Sequence, residues 1–449
     1  MATATKKGII ERPRTTCAQG GALATIGSLP DVVAISHAAE GCGGNLAGSI
    51  SFNSGNNGEG YCSGNQIPTS AIREKNVIFG GAKRLESEIK SAEELIDAKL
   101  FVVVTGCMTE IIGDDIDAVV DEFADAETPV VAVNTPSFEG DAYTGYELVL
   151  EGVFNKYLQK SDEKDPKLVN LFGVIPHFDP FYRGDLEEIA RLLRKVGLRV
   201  NTFFTPDQSF ENILSANKAG LNIVLSPVWG VDFAARFEKK HGTPYWVTDL
   251  PIGAVASERF LKELAEHIEV DKGRIEEVIK EENDRYYGYF LRTLDIIVNA
   301  QFFYYAATVT NSSYASPLAG YLKHELGWQT DDVYVTDILD KKRLERLQSA
   351  FDAAQTGAEL ILETDTKKIA WSLRKRHPRN QGERYFDQHS PFFLVGSSLE
   401  KYAAADQGAL TLAVSYPVYN RMITDRGYAG YSGGLRLLED LISVPISGK

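Results

Sequence analysis

Apolar and polar positions along this chain follow two alternating rhythms. Leu100–Thr105 (LFVVVT) is a short unbroken apolar run, the pattern of a strand buried on both faces of a parallel sheet. Just before it, Leu85, Ile89, Ala92 and Ile96 recur at helical spacing within Lys83–Asp97, with charges between them. Pro129–Val133 reads as the next strand and Ile116–Phe123 as the helix joining the two, so the stretch predicts a βαβ unit. A charged break at Gln159–Lys167 (QKSDEKDPK) reads as a linker. Beyond it the rhythm resumes, with strands at 168–175, 198–204 and 221–226 and helices at 185–196 and 209–219. Two further helical stretches, Ser257–His267 and Lys272–Val298, close that block. A third block alternates strands at 302–309, 333–336, 359–363, 392–395 and 409–415 with helices at 317–326, 341–354, 367–376 and 433–442. The pattern predicts an α/β fold of three doubly wound, Rossmann-like parallel-sheet domains. Their expected extents are 1–160 joined by 405–449, then 161–299, then 300–404. No short fixed repeat is present, which argues against a solenoid.

Composition narrows the function classes. Hydrophobic residues make up 44% and charged residues 24% of the 449, as in ordinary globular proteins. Lys plus Arg number 47 against 62 Asp plus Glu, a net charge of −15 that argues against a nucleic-acid partner. No run of eighteen apolar residues exists, and Met1–Thr16 is polar with no apolar core of a signal. A cytoplasmic protein without membrane spans is the expectation.

The cysteines change the picture. Cys17, Cys42, Cys62 and Cys107 all fall in the first 107 residues. Four cysteines in so long a chain do not make a disulfide framework. Cys17 (TTCAQGG), Cys42 (EGCGGN) and Cys107 (TGCMTE) each have glycine within three residues, which lets backbone and amide donors approach sulfur. Cys107 lies at the carboxyl end of the apolar strand, where α/β folds bind ligands. Ser137, in NTPSF, follows the next strand and should emerge on the same edge. Gaps from 17 to 42 and from 42 to 107 fit neither structural zinc, which favours pairs two to four residues apart, nor the tight runs of small ferredoxins. They fit a large cluster clasped by separate loops; they also fit plain buried thiols.

The runs TGCMTEIIGDDIDAV (Thr105–Val119) and NTPSFEGDAYTGYE (Asn134–Glu147) resemble the β-type subunit of nitrogenase component 1. So do HAAEGCGGN around Cys42, VIFGGAKRLE at Val77–Glu86, LPIGAVASERFLKEL at Leu250–Leu264 and the tail SYPVYNRMITDRGYAGYSGGLRLLEDL. The resemblance runs over essentially the whole chain. It implies that Cys17, Cys42 and Cys107 hold half of an [8Fe-7S] P cluster shared with an α-type subunit in an α₂β₂ heterotetramer. Ser137 matches a redox-dependent serine ligand of that cluster, or else is a loop cap after Pro136. The FeMo-cofactor-like cluster is expected in the α-type subunit alone, because no cysteine follows Cys107 and the seven histidines form no close ligand pair. No catalytic residue is therefore expected here, and the chain reads as an electron-relay subunit. Since no Gly-x-x-x-x-Gly-Lys-Ser/Thr loop is present, ATP hydrolysis would belong to a transient [4Fe-4S] reductase iron protein, a homodimer.

Some features depart from the molybdenum-type pattern. Cys17 comes almost at once, where those β subunits carry a longer N-terminal extension. Phe52–Ser70 (FNSGNNGEGYCSGNQIPTS) reads as a flexible loop and brings Cys62, either an exposed loop thiol or an extra contact near the cluster. The wider family includes methylthio-alkane reductase, which cleaves carbon–sulfur bonds of small volatile thioethers, and the chain looks more similar to its β-type subunit. A dinitrogen-reducing alternative-metal enzyme and a cofactor-assembly scaffold are the other readings.

Overall fold

The computed structural model describes residues 10–58, 67–378 and 392–447, and these contain three parallel sheets. β1 (Val32–His37), β2 (Leu100–Thr105) and β3 (Val130–Val133) lie side by side in that order. β4 (Asp165–Phe172), β5 (Arg199–Asn201), β6 (Ala219–Val224) and β7 (Tyr245–Val247) form the second sheet, ordered β5-β4-β6-β7. β8 (Tyr305–Thr310), β9 (Gln329–Val335), β10 (Glu359–Leu362), β11 (Phe392–Gly396) and β12 (Leu410–Ala413) form the third, ordered β10-β9-β8-β11-β12. Each pairing between these strands is parallel. In the second and third sheets the strand order reverses beside the first strand, as doubly wound folds do.

The unbroken apolar run of β2 is explained by its burial on both faces. Phe101 and Val103, with Val33 and Ile35 of β1, pack under the Ala82–Leu95 helix through Leu85, Ile89 and Ala92. Val102, Val104 and Ala34 point the other way, into a core that continues through all three sheets. One carboxylate fastens the three sheet units together. Glu147, on the Ala142–Leu150 helix, accepts from the Gly230 amide at 2.8 Å and pairs with Arg343, whose guanidinium lies 4.5 Å over the Trp229 ring.

Several expectations from the sequence need correction. β1 and the helices at Ala18–Gly27, Glu40–Asn53 and Ala142–Leu150 carry no amphipathic signal, because they are glycine-rich or buried nearly all round. The Val231–His241 helix and β7 were likewise not foreseen. β4 begins at Asp165, inside the expected linker. β5 stops at Asn201 rather than 204, since Phe203 takes a left-handed φ of 64° that no strand continues through. The helix expected from Pro317 starts at Ser312, capped by Asn311, with Pro317 inside it. The expected flexible loop at 52–70 is corrected in its described parts. Phe52 and Asn53 complete a helix, and Pro68–Ile72 runs along the end of β1, pairing through Ser36 and Ala38. Cys62 lies outside the described residues.

Candidate cluster site at the first sheet edge

Three loops leave the carboxyl edge of the first sheet, and two of them meet. Cys107 opens the short helix after β2, and Ser137 sits in the turn after β3. The Cys107 thiol donates to Ser137 Oγ at 2.9 Å, and the Ser137 amide donates to Cys107 Sγ at 3.2 Å. Cys42 lies in the first turn of the Glu40–Asn53 helix, which follows β1. Cys17 is the residue preceding the Ala18–Gly27 helix and bridges backbone to Asp141, four residues past Ser137. All three cysteines are free and partly exposed. The Cys42 thiol is pushed above its ordinary value by burial first, then by the sulfurs of Cys17 and Cys107.

The motif residues around the sulfurs have structural work. Gly106 packs so tightly that an added Cβ would lie 2.6 Å from Ala38 Cβ. Gly145 faces the Ala18 carbonyl, and an added Cβ there would sit 2.0 Å from that oxygen. This close crossing clamps the Cys17 helix onto the helix that follows Ser137, and the Ala142 amide completes the clamp by donating to Thr16 O at 2.9 Å. Beneath the rim, His37 bonds Ser70 Oγ at 2.8 Å and Asp114 at 3.1 Å. Asp114 also accepts from the Gly81 amide, which accounts for one acid of IIGDD and one glycine of FGG. Burial holds His37 below its usual value, against the opposing pull of Asp114. The His37 carbonyl accepts from the Gly106 amide and from Thr109 Oγ1, tying β1 to the Cys107 helix. His37 and Asp114 carried no role in the sequence reading; the Gly-Asp-Asp run after the cysteine was the available signal.

The donor set fits an iron–sulfur group of several irons. It consists of three thiols, the soft donors of that chemistry, and one harder hydroxyl oxygen. Among the described residues no three His, Cys, Asp or Glu side chains are grouped so as to hold a single metal ion. The rim is also flanked by exposed apolar side chains. Ile111 on the Cys107 helix is 75% exposed, Phe138 beside Ser137 is 62%, and Phe79 on the adjoining Glu74–Phe79 helix is 85%.

Three parallel-sheet units of this order form an α/β architecture already represented among solved structures. "Nitrogenase Cp1 at pH 6.5" superposes with a TM-score of 0.78 at 20% identity, covering 100% of this chain and 95% of that one. "Nitrogenase Cp1 at pH 5" gives 0.74 at 23% identity, covering 98% and 90%. That likeness establishes the fold. The family model of nitrogenase component 1 type oxidoreductases matches residues 17–444, and the chain belongs to this family. It is similar to a nitrogenase molybdenum-iron protein beta chain of Bradyrhizobium diazoefficiens, 22% identical over 83% of this chain and 73% of that protein. It is also similar to the nitrogenase iron-molybdenum cofactor biosynthesis protein NifE of Rippkaea orientalis, 27% identical over 60% of this chain. In the relatives with that second name the match spans about half of their own length, 46–56%. Among the described residues no helix is long and apolar enough to cross a membrane.

Proposed function

We propose that this chain is the β-type subunit of a nitrogenase-like reductase that cleaves carbon–sulfur bonds of small thioethers, a methylthio-alkane reductase. The observation that carries the reading is the rim itself, where the Cys107–Ser137 contact and the partly exposed Cys17 and Cys42 stand with exposed apolar side chains. Cys17, Cys42 and Cys107 would hold half of an [8Fe-7S] cluster, and Ser137 Oγ would add an anionic ligand on oxidation. When bound, that cluster supplies one- or two-electron relay toward an active-site cluster in the α-type partner. Cys17 precedes one helix and Cys42 lies in the first turn of another, so backbone amides of both helix starts stand near the sulfurs. Phe79, Ile111 and Phe138 supply the apolar surface on which the partner would close and exclude water. The three-unit division at 160 and 300, with 405–449 returning to the first unit, is part of the same proposal. The net reaction takes two electrons and two protons, breaks the C–S bond of a methyl thioether, and yields a hydrocarbon and methanethiol. The electrons would come from an ATP-dependent iron protein.

The NifE-named relatives favour a second reading, a subunit of a cofactor-assembly scaffold. Anaerobic co-purification with the α-type partner, mass determination and assay with the iron protein, ATP and a dialkyl thioether separate the two. An α₂β₂ assembly that releases methanethiol is expected. An assembly that turns over no thioether but donates a cofactor to an empty reductase would overturn the first reading in favour of the second. Ammonia from dinitrogen without methanethiol would point to an alternative-metal nitrogenase.

A further inference from the structure

A cleft of about 300 Å³ has three walls, each from a different part of the chain. The Thr366–Arg376 helix supplies Lys367, Ala370, Trp371 and Arg374, which share one face at intervals of three and four residues. The Ser398–Glu400 turn and the Lys401–Gln407 helix supply Leu399, Tyr402 and Ala403. Glu11 and Arg12, ahead of Cys17, form the third wall. The space is enough for one small organic molecule.

The largest side chains on these walls are wet. Trp371 is 70% exposed and Tyr402 is 61%, whereas Trp229, Trp246 and Trp328 are buried. Aromatic faces in a concave surface gain most from a flat apolar body laid against them. Arg12 is held at a left-handed φ of 59°, which a non-glycine residue keeps only where its surroundings impose it. Thr366 Oγ1 donates to the Arg12 carbonyl at 2.9 Å, and the Arg12 guanidinium lies 5.2 Å over the Tyr402 ring. A cation is thereby set against the aromatic wall.

The sign of the occupant follows from all the ionised side chains that line the cleft: Arg12, Lys367, Arg374, Glu11 and Glu400. Lys367 pairs with Glu11 at 3.3 Å, and Arg374 pairs with Asp406. Glu400 is bonded to buried Arg14 and to Ser397. Among the described residues Arg12 has no carboxylate partner, so one positive charge is left over. We propose that this cleft binds an aromatic monoanion, an aryl carboxylate with its ring against Trp371 and Tyr402 and its oxygens accepting from the Arg12 guanidinium. The proposal does not rest on the reading of the cysteine rim.

Phenylacetate is the probe, with phenylacetamide as its neutral and cyclohexylacetate as its non-aromatic counterpart. Calorimetric titration of the full chain, in its assembly, should show saturable binding of phenylacetate and weaker binding of the other two. Arg12→Gln should weaken it roughly tenfold, since a charge-assisted bond is lost, and Trp371→Ala should weaken it too. Lys375→Gln, an exposed position on the same helix that does not line the cleft, should bind as wild type does. A second readout locates the anion. Phenylacetate should shield from acrylamide the share of tryptophan emission that Trp371→Ala removes. No saturable binding to wild type, equal binding of either counterpart, an equal loss in Lys375→Gln, or undiminished binding by Arg12→Gln would each overturn the proposal.

Discussion

At the scale of single residues, Cys107 and Ser137 make the clearest test. The two side chains already touch, so a serine oxygen stands within reach of whatever the sulfur holds. Under the proposed ligation, replacing Cys42 or Cys107 by Ala would remove a thiolate from iron, and iron content and electron delivery should collapse. Cys62→Ala should lose far less iron. Iron analysis with low-temperature paramagnetic spectra decides, and equal loss in all three variants would refute this ranking. Ser137→Ala should behave differently. Under the same proposal it keeps the three cysteines, and so the iron, but would remove the anionic ligand of the oxidised state, so the potential of that couple should rise. A redox titration in which wild type and variant share one midpoint would return Ser137 to the role of a turn residue.

At the scale of elements, helices built on glycine position the sulfurs. The Ala18–Gly27 and Ala142–Leu150 helices approach so closely that only hydrogen fits at Gly145, against Ala18 O. Gly145→Ala must push them apart, at a cost of about 1–3 kcal/mol, and carry Cys17 away from the Ser137 loop. Chemical denaturation should show the loss, with iron content falling alongside. Gly48→Ala is the control, since nothing lies within 4 Å of its added Cβ. It sits inside the Glu40–Asn53 helix, and gaining a better helix former there should stabilise by ~0.5–1 kcal/mol. A Gly145→Ala variant as stable as wild type would show that the crossing relaxes freely.

At the scale of the whole molecule, buried carboxyls join the units and give stability a pH dependence. Asp185 accepts from the amides of Tyr428 and Ala429 at 2.6 and 2.8 Å and from the Tyr314 hydroxyl at 2.8 Å. It thereby binds the second unit to the third and to the C-terminal segment. Burial pushes its carboxyl up to about 6, against the opposing pull of those three donors. Asp179, which accepts from Asn311 and from the Ile175 amide, is pushed up to about 7 for the same reason. An unfolded aspartate loses its proton near pH 4, whereas the folded state keeps these two protons to higher pH. Their contribution is therefore fully present below pH 4 and is lost as pH rises toward 6 to 7. Asp185→Asn keeps the acceptor oxygen and cannot ionise, so it should flatten the fall in urea midpoint between pH 4 and 6. The part assigned to Asp185 is on the order of 2–3 kcal/mol. An unchanged slope would mean that other groups set it. Asp185→Ala should instead unfasten the units and cost about 1–3 kcal/mol at every pH.

How much of this was legible beforehand follows from range. Strand β2, the Ala82–Leu95 helix and the α/β alternation were readable because burial on two faces or on one stripe imprints a local period on the chain. The cysteine contexts and the position of Ser137 after a strand were readable too, since parallel strands send their following loops to one edge. What tertiary structure alone decided is the set of partners far apart in sequence. The Gly145–Ala18 crossing, the His37–Asp114 pair and Asp185 beneath Tyr428 are such pairs, because a glycine or a buried acid has no periodic signature and its meaning depends on what packs against it. The amino-acid sequence by itself determined the α/β class and that Cys107 and Ser137 leave one sheet edge, through hydrophobic periodicity and chain direction. The folded molecule decided how closely Cys107 and Ser137 stand and what holds their loops, because close packing and buried hydrogen bonds are properties of juxtaposition.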